Sequence, residues 1–184
     1  MVAWALAALF AAAWIPVFAF RAEDVHASLP FYSTAERFWV RICPVIFALH
    51  TTLGTLLVTV NDPLPPLRSL LAAAAVVVGF ALWLWARVQI MPLHMRRLPD
   101  DPPAALRRDG PFGLVRNPCY LAYLLIAAGP LLATASALLA CTWAAAFVAL
   151  AIRAAQEERR LHAQLGTAYA DYCRTVKRLV PFVW

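Results

Sequence analysis

The feature that most restricts the fold of this chain is a run of residues, 121–152, that contains no charged side chain. A helix needs about 20 apolar residues to cross the hydrocarbon core of a membrane, so the run is too long for one crossing and short for two. We expect a tight helical hairpin, because Gly129 and Pro130 disfavour one continuous helix. Its turn lies either at these two residues or at 134–136. The polar segments on either side of the hairpin then return to the same membrane face.

The composition places the whole chain among membrane proteins. Hydrophobic residues make up 63% of the 184 residues, only 14% are charged, and the mean hydropathy is +0.69. A soluble domain has about 25% charged residues. We predict a single all-α integral membrane domain with about five transmembrane helices, the last two forming a C-terminal hairpin, followed by a short amphipathic tail helix. The predicted spans are 2–20, 38–60, 67–90, 118–133 and 136–156, with a polar loop at 21–37, a longer loop at 91–117 and a tail at 157–184.

The basic residues alternate between the predicted connections. When each of the 16 Lys and Arg residues is assigned to the nearest connection, three belong to the first, one to the second and six to the third, whereas the hairpin turn has none and the tail has six. By the positive-inside rule, the loop 91–117 and the tail are cytoplasmic and the N-terminus is outside. The formal net charge of +6 is therefore read as a topology signal and as contacts with membrane lipids, and no nucleic-acid partner is expected.

Other residue types give weaker information. The four Cys and four His are dispersed along the chain, so neither a disulfide framework nor a metal site is predicted. No basic region precedes the first apolar run, which favours a retained span over a cleaved signal peptide. His50 lies in the second span, where an ionisable group is costly. We expect it to be neutral and bonded to a carbonyl of a neighbouring helix rather than to contact substrate.

The first polar segment, residues 109–120, ends in Arg116-Asn-Pro-Cys-Tyr120. Asn117 is a good N-cap and Pro118 is favoured at the first position of a helix, so the segment predicts a helix start. The N-terminus of a helix also attracts a carboxylate or a phosphate, and Arg116 adds a planar cationic group for the same kind of anion. From these residues alone, a purely structural role and a functional role of the segment are equally well supported.

The second polar segment begins at Glu157 and Glu158. Neighbouring residues point about 100° apart around a helix, so one carboxylate is expected to face the bundle and the other water. In one interpretation they are solvent-exposed acidic residues whose charge is balanced by nearby arginines. In the other they bind ribose hydroxyls or a sulfonium cation. Farther on, an apolar stripe at helical spacing predicts a short packed helix, with Thr167 as its cap. The stripe consists of Tyr169, Tyr172, Val176 and Val180.

Taken together, the two segments resemble a known family. DGPFGLVRNPCYLAYLLIAAG resembles the pattern G-P-[FY]-x-x-x-R-[HN]-P-x-Y-L, and EERRLHAQLGTAYADYCRTVKRLVP resembles E-E-x-x-L-x-x-x-[FL]-G-x-x-Y-x-x-Y followed by R-x-[IV]-P. Both patterns are typical of the integral-membrane family of isoprenylcysteine carboxyl methyltransferase and the phospholipid N-methyltransferases. The resemblance covers the C-terminal part of the chain, whereas the first three spans match only in number and hydropathy. It implies a multi-pass protein of a bacterial inner membrane that uses S-adenosylmethionine (SAM) to methylate a small lipophilic acceptor.

The resemblance also implies roles for individual residues. It makes Arg116 and Glu157 candidate catalytic residues. Candidate cofactor-binding residues are Asn117, Pro118, Tyr120, Glu157 and Glu158. Isoprenylcysteine enzymes have His at position 117, and bacterial-type relatives have Asn, so the match argues less for a prenylcysteine acceptor. The segment after the third span also departs from the family pattern.

The acceptor is left open between a carboxylate, an amine, a phenol and a thiol. An amine or hydroxyl acceptor needs a base, for which Glu157 or Glu158 is available, whereas a carboxylate needs an anchor such as Arg116. Two alternatives to this function remain. One is a non-catalytic membrane scaffold or binding protein with the same fold, and the other is a membrane enzyme of the sterol-reductase type, which would bind NADPH.

Overall fold

A computed structural model of the chain describes residues 1–28, 33–61, 63–95 and 106–180. Within these ranges the protein is helical and has no strand, apart from one isolated bridge between Val115 and Lys177. The helices are α1 (Val2–Ser28), α2 (Thr34–Val60), α3 (Pro66–Met95), α4 (Pro111–Leu114), α5 (Pro118–Thr134), α6 (Ala137–Leu165) and α7 (Thr167–Thr175). Residues 96–105 of the predicted loop 91–117, and Pro181 of the C-terminal motif, lie outside the described residues.

The predicted all-α membrane fold is confirmed. Three described segments are long and apolar enough to cross a membrane, namely Thr34–Val60, Pro66–Ile90 and Ala137–Leu165. Two shorter apolar helices, Val2–Ile15 and Pro118–Thr134, correspond to the first and fourth predicted spans. Helix bounds differ from the predicted spans. Helix α1 continues past residue 20 to Ser28, so part of the predicted loop 21–37 is helical, and α3 continues past residue 90 to Met95. Helix α2 begins at Thr34 because Ser33 and Glu36 form a reciprocal capping box.

The hairpin turn lies at the second of the two places that the sequence left open. Helix α5 ends at Thr134, and Ala135 takes the left-handed conformation with φ 52° before α6 begins at Ala137. Gly129 and Pro130 remain inside α5. The ring of Pro130 packs against Gly54 of α2, where an added Cβ would lie only 2.5 Å from the Pro130 Cβ. The proline therefore serves close helix packing rather than a turn.

Helix α5 lies at the centre of the bundle and packs against α1, α2, α3 and α6. Its approach to α3 depends on small residues, because an added Cβ at Gly79 would lie 2.9 Å from Ile126 Cγ1 and 3.0 Å from the carbonyl oxygen of Ala122. An aromatic cluster fills the core beside α5. It consists of Trp14, Phe47, Tyr120 and Tyr123, whose neighbouring ring centroids are 5.0–6.2 Å apart.

His50 joins three helices inside the bundle. Its side chain is fully buried, with Nε2 2.7 Å from the carbonyl oxygen of Ala127 on α5 and Nδ1 2.7 Å from Thr142 Oγ1 on α6. Because a carbonyl can only accept, Nε2 donates the proton. The predicted bond to a carbonyl of a neighbouring helix is confirmed.

The chain leaves the bundle through the end of α6, which continues past the predicted boundary at 156 to Leu165. The predicted tail helix is present as α7, with Tyr169 and Tyr172 buried. Its cap differs from the prediction. Gly166, with φ 55°, is the N-cap, because a sharp turn between α6 and α7 requires this conformation, and Thr167 becomes the first helical residue. Val176 is extended and Val180 lies in a bend beyond the helix, so the predicted stripe is helical only in its first half.

Candidate active site

The start of α5 is paired with the end of the chain. We refer to residues 176–180 as the C-terminal strap. The backbone N–H of Arg116 donates to the carbonyl of Lys177 (2.8 Å), and the N–H of Asn117 donates to that of Arg178 (3.1 Å). Asn117 is the N-cap of α5 by position, but its side chain makes no capping bond and instead donates to the Arg178 carbonyl at 3.0 Å. Asn117 thus begins the helix and fastens the strap to it.

The first of two charged clusters surrounds Glu158. Arg116 Nε donates to Glu158 Oε1 at 2.9 Å, whereas Arg178 Nε and Nη2 lie 2.9 and 2.8 Å from Oε2. Arg116 Nη1 donates in addition to the carbonyls of Val176 (2.6 Å) and Cys173 (3.0 Å). The Glu158 side chain is only 7% exposed. Each carboxylate oxygen faces an arginine, which compensates for the loss of hydration on burial.

The second charged cluster surrounds Glu157. Tyr120 donates its hydroxyl proton to Glu157 Oε1 at 2.5 Å, and Arg153 Nη2 donates to the same oxygen at 2.8 Å. Arg153 also lies 3.3–3.4 Å from the Tyr120 hydroxyl and is buried. The Glu157 side chain is 35% exposed, and all its hydrogen bonds within the described part of the chain involve Oε1. One oxygen of this carboxylate is therefore fixed, and the other is open to a ligand.

Helix α7 supports the loop that leads into α5. Tyr172 donates its hydroxyl proton to the carbonyl of Phe112 at 2.6 Å, and Arg108 Nη2 donates to the carbonyl of Ala168 at 2.5 Å. Burial raises the pKa of Tyr172 to about 12, against the opposing charge of Arg116. Burial also raises the pKa of Tyr169. Both phenols are therefore neutral at physiological pH, and Tyr172 remains a proton donor to the loop.

The helix ends near the two clusters belong to one side of the bundle. Arg160, close to the end of α6, lies 3.9 Å from Glu36 at the start of α2. Gln89, close to the end of α3, contacts Gly110 in the loop before α5. The two polar segments of the sequence thus meet at the same end, together with the ends of α2 and α3.

All six residues that the resemblance singled out lie in or beside these clusters. Arg116 contacts Glu158, Tyr120 contacts Glu157, and Asn117 binds the strap, whereas Pro118 is buried at the first position of α5 and supplies the helix start. Residue by residue, the geometry separates the adjacent carboxylates: Glu158 is enclosed by protein and Glu157 is accessible.

Sequence reasoning missed Arg178, which it counted only as a topology charge, and it treated Arg153 only as one of several arginines that could balance the two glutamates. A signal for Arg153 was available, because it precedes Glu157 by one helical turn, the spacing of an i,i+4 ion pair. Arg178 lies in the R-x-[IV]-P motif, but nothing in the sequence connects it with Glu158. That contact depends on the path of the strap.

A comparison with protein families identifies the family of this chain. The model of the isoprenylcysteine carboxyl methyltransferase (ICMT) family matches residues 71–163. The chain belongs to the ICMT family. The matched region runs from α3 to the end of α6 and contains both carboxylates and their partners Arg116, Tyr120 and Arg153, whereas the strap with Arg178 lies beyond it. Membership in the ICMT family supports a membrane methyltransferase. No curated protein and no solved structure matches the chain significantly.

Proposed function

We propose that this protein is a SAM-dependent methyltransferase that acts on a lipophilic acceptor at the cytoplasmic face of a bacterial inner membrane, with its N-terminus outside. The observation that carries the proposal is the state of Glu157: a carboxylate at the polar end of a membrane bundle with Oε1 fixed by two donors and Oε2 open. A soluble cofactor reaches such a site from the water side, and a lipid-like acceptor reaches it from the bilayer.

The residues at this end of the bundle fit SAM. The cofactor presents hydroxyl and amino donors, which suit acceptor oxygens in the site. Glu157 offers its open oxygen, and the side-chain oxygen of Gln156 is buried without a partner among the described residues. We propose that Tyr120 and Glu157 contact the cofactor. Asn117, Pro118 and Glu158 form the surrounding structure that holds Tyr120 and Glu157 in place.

The chemistry divides simply between cofactor and protein. SAM, when bound, supplies an electrophilic methyl group whose bond electrons remain on sulfur as the sulfonium becomes a thioether. Glu157 accepts the proton that an amine, phenol or thiol acceptor loses. Tyr120 and Arg153 fix the carboxylate so that little reorganisation is needed when it takes the proton.

The contacts of Arg116 favour an acceptor that carries such a proton. A carboxylate acceptor would need a cation as its anchor, but Arg116 already donates to Glu158 and to two backbone carbonyls in an almost buried position. Drawing it to a second anion would leave Glu158 with only Arg178 as its partner. We propose that Arg116 serves the reaction by holding the site together, and that the acceptor is an amine, phenol or thiol.

Titration calorimetry with SAM, in detergent and in lipid, tests the cofactor directly. Binding, followed by transfer of a labelled methyl group to a component of membrane lipid extracts, is the expected result. Glu157→Gln and Tyr120→Phe should lose turnover while remaining folded, whereas Asp171→Asn, on the exposed face of α7, should behave as the wild type. Lack of SAM binding in both media would overturn the proposal. Binding of NADPH instead would favour a reductase, and SAM binding without transfer would favour a scaffold.

A further inference from the structure

One residue of the C-terminal strap connects the two elements that form the site. The backbone carbonyl of Arg178 accepts hydrogen bonds from the backbone N–H (3.1 Å) and the side-chain amide (3.0 Å) of Asn117, at the start of α5. Its guanidinium group binds Glu158 of α6 through Nε and Nη2. Arg178 thus reaches α5 with its main chain and α6 with its side chain.

We propose that Arg178 is a positioning residue of the active site, which fixes the orientation of Glu158 and, through it, that of Arg116 and the start of α5. The proposal rests on the methyltransferase function proposed above. Arg178 itself touches no reacting atom.

The burial of Glu158 makes this contact more than a surface ion pair. Its side chain is 7% exposed, and that of Arg178 is 27% exposed. Exposed ion pairs contribute little because water replaces either partner, but a buried carboxylate that loses a donor stays unsatisfied or has to turn. If Glu158 turns, Oε1 moves away from Arg116 Nε, so the loss of Arg178 disturbs both arginine contacts.

The loss of these arginine contacts also affects Glu157, the accessible carboxylate. Arg116 immediately precedes the N-cap of α5, whose first turn carries Tyr120, and Tyr120 fixes Glu157 Oε1. Glu157 is also the direct neighbour of Glu158 on α6. A displacement of about 1 Å in a reacting group can reduce a rate about a hundredfold, so a small movement of Glu158 is enough to matter.

The experiment compares Arg178→Gln and Arg178→Lys with a matched control, Arg174→Gln. Arg174 is 80% exposed and pairs with Asp171 on the outer face of α7. Four quantities are measured on the full-length protein in detergent: kcat and KM for SAM with a membrane lipid extract as methyl acceptor, the Kd of SAM by calorimetry, and hydrogen–deuterium exchange of residues 116–117 without cofactor. The exchange measurement reports the pairing of the strap with α5 independently of turnover.

For Arg178→Gln we expect kcat to fall about a hundredfold while the KM for SAM changes by less than about threefold, since alignment rather than uniform binding is lost. Exchange of residues 116–117 should become faster. Arg178→Lys keeps the charge but lacks the second donor nitrogen, and should lose about tenfold in kcat. Arg174→Gln should match the wild type in all four quantities.

A folded Arg178→Gln protein that melts earlier but keeps kcat within twofold of the wild type would overturn the proposal, because the arginine would then be merely structural. If this variant does not fold, Arg178→Lys decides, and a kcat within twofold of the wild type overturns the proposal in the same way. A wild-type protein that neither binds SAM nor transfers a methyl group overturns the proposed function, and this inference falls with it.

Discussion

The sharpest test of the architecture is to remove the carboxylate that joins α5, α6 and the strap. Glu158→Ala leaves Arg116 and Arg178 facing each other across a nearly closed space without an anion between them. Breaking a buried ion pair costs about 3–5 kcal/mol. The lower limit applies here, because Arg178 is partly exposed and can turn towards water. We therefore expect the free energy of unfolding to fall by about 3 kcal/mol, which for a chain of this size lowers the melting temperature by about 6–12 °C.

Thermal unfolding in a mild detergent, followed by circular dichroism, measures this effect. The matched control is Asp171→Ala, which removes an exposed pair with Arg174 at 3.1 Å on α7. Exposed pairs contribute about 0–1 kcal/mol, so this variant should melt within about 4 °C of the wild type, and high salt should remove any difference. Equal melting temperatures for Glu158→Ala and Asp171→Ala would refute the argument that burial makes the Glu158 cluster stabilising.

Three further predictions concern other parts of the molecule. His50→Ala should lower the free energy of unfolding by about 1–3 kcal/mol, because two interhelical hydrogen bonds are lost, and a double-mutant cycle with Thr142→Val should show coupling. Gly79→Ala should cost about 1–3 kcal/mol in the same melting assay, because its Cβ would lie 2.9 Å from Ile126, whereas the exposed Ala81→Val should be nearly neutral. Burial raises the pKa of Tyr172 from 10.0 to about 12, so stability should be constant below about pH 10 and fall towards pH 12. Tyr172→Phe should lose less stability than the wild type between pH 10 and pH 12. A wild-type stability that rises over this range would contradict the raised pKa of Tyr172.

The candidate site divides two neighbouring carboxylates between different tasks. Glu158 is enclosed by arginines and holds the structure together, whereas Glu157 keeps one oxygen open beside a buried tyrosine and arginine. The difference follows from the geometry of the helix, which points adjacent side chains about 100° apart. A site of this kind needs both, because an open carboxylate can be held accurately only when its surroundings are fixed.

Much of the fold could be predicted from the sequence, because it depends on local properties. The uncharged run 121–152 required a hairpin, and the structure has one. The position of the turn could not be predicted, because Gly129 and Pro130 are turn formers by themselves and become helical only when Gly54 of α2 gives the proline ring space. The prediction for His50 was right because a buried imidazole has to find an acceptor, although its partners Ala127 and Thr142 could not be named.

The candidate site, like the fold, could be predicted from the sequence only in part. By itself, the sequence determined that the chain is a helical membrane protein, that a helix starts at Pro118, and that Arg116, Tyr120 and the two glutamates are candidates for one site, since hydropathy, capping and family motifs are local patterns. Only the tertiary structure decided which carboxylate is enclosed and which is open, and that Arg178 belongs to the Glu158 cluster. These assignments depend on how α5, α6 and the C-terminal strap meet, and contacts between elements distant in the sequence leave no local pattern from which they could be inferred.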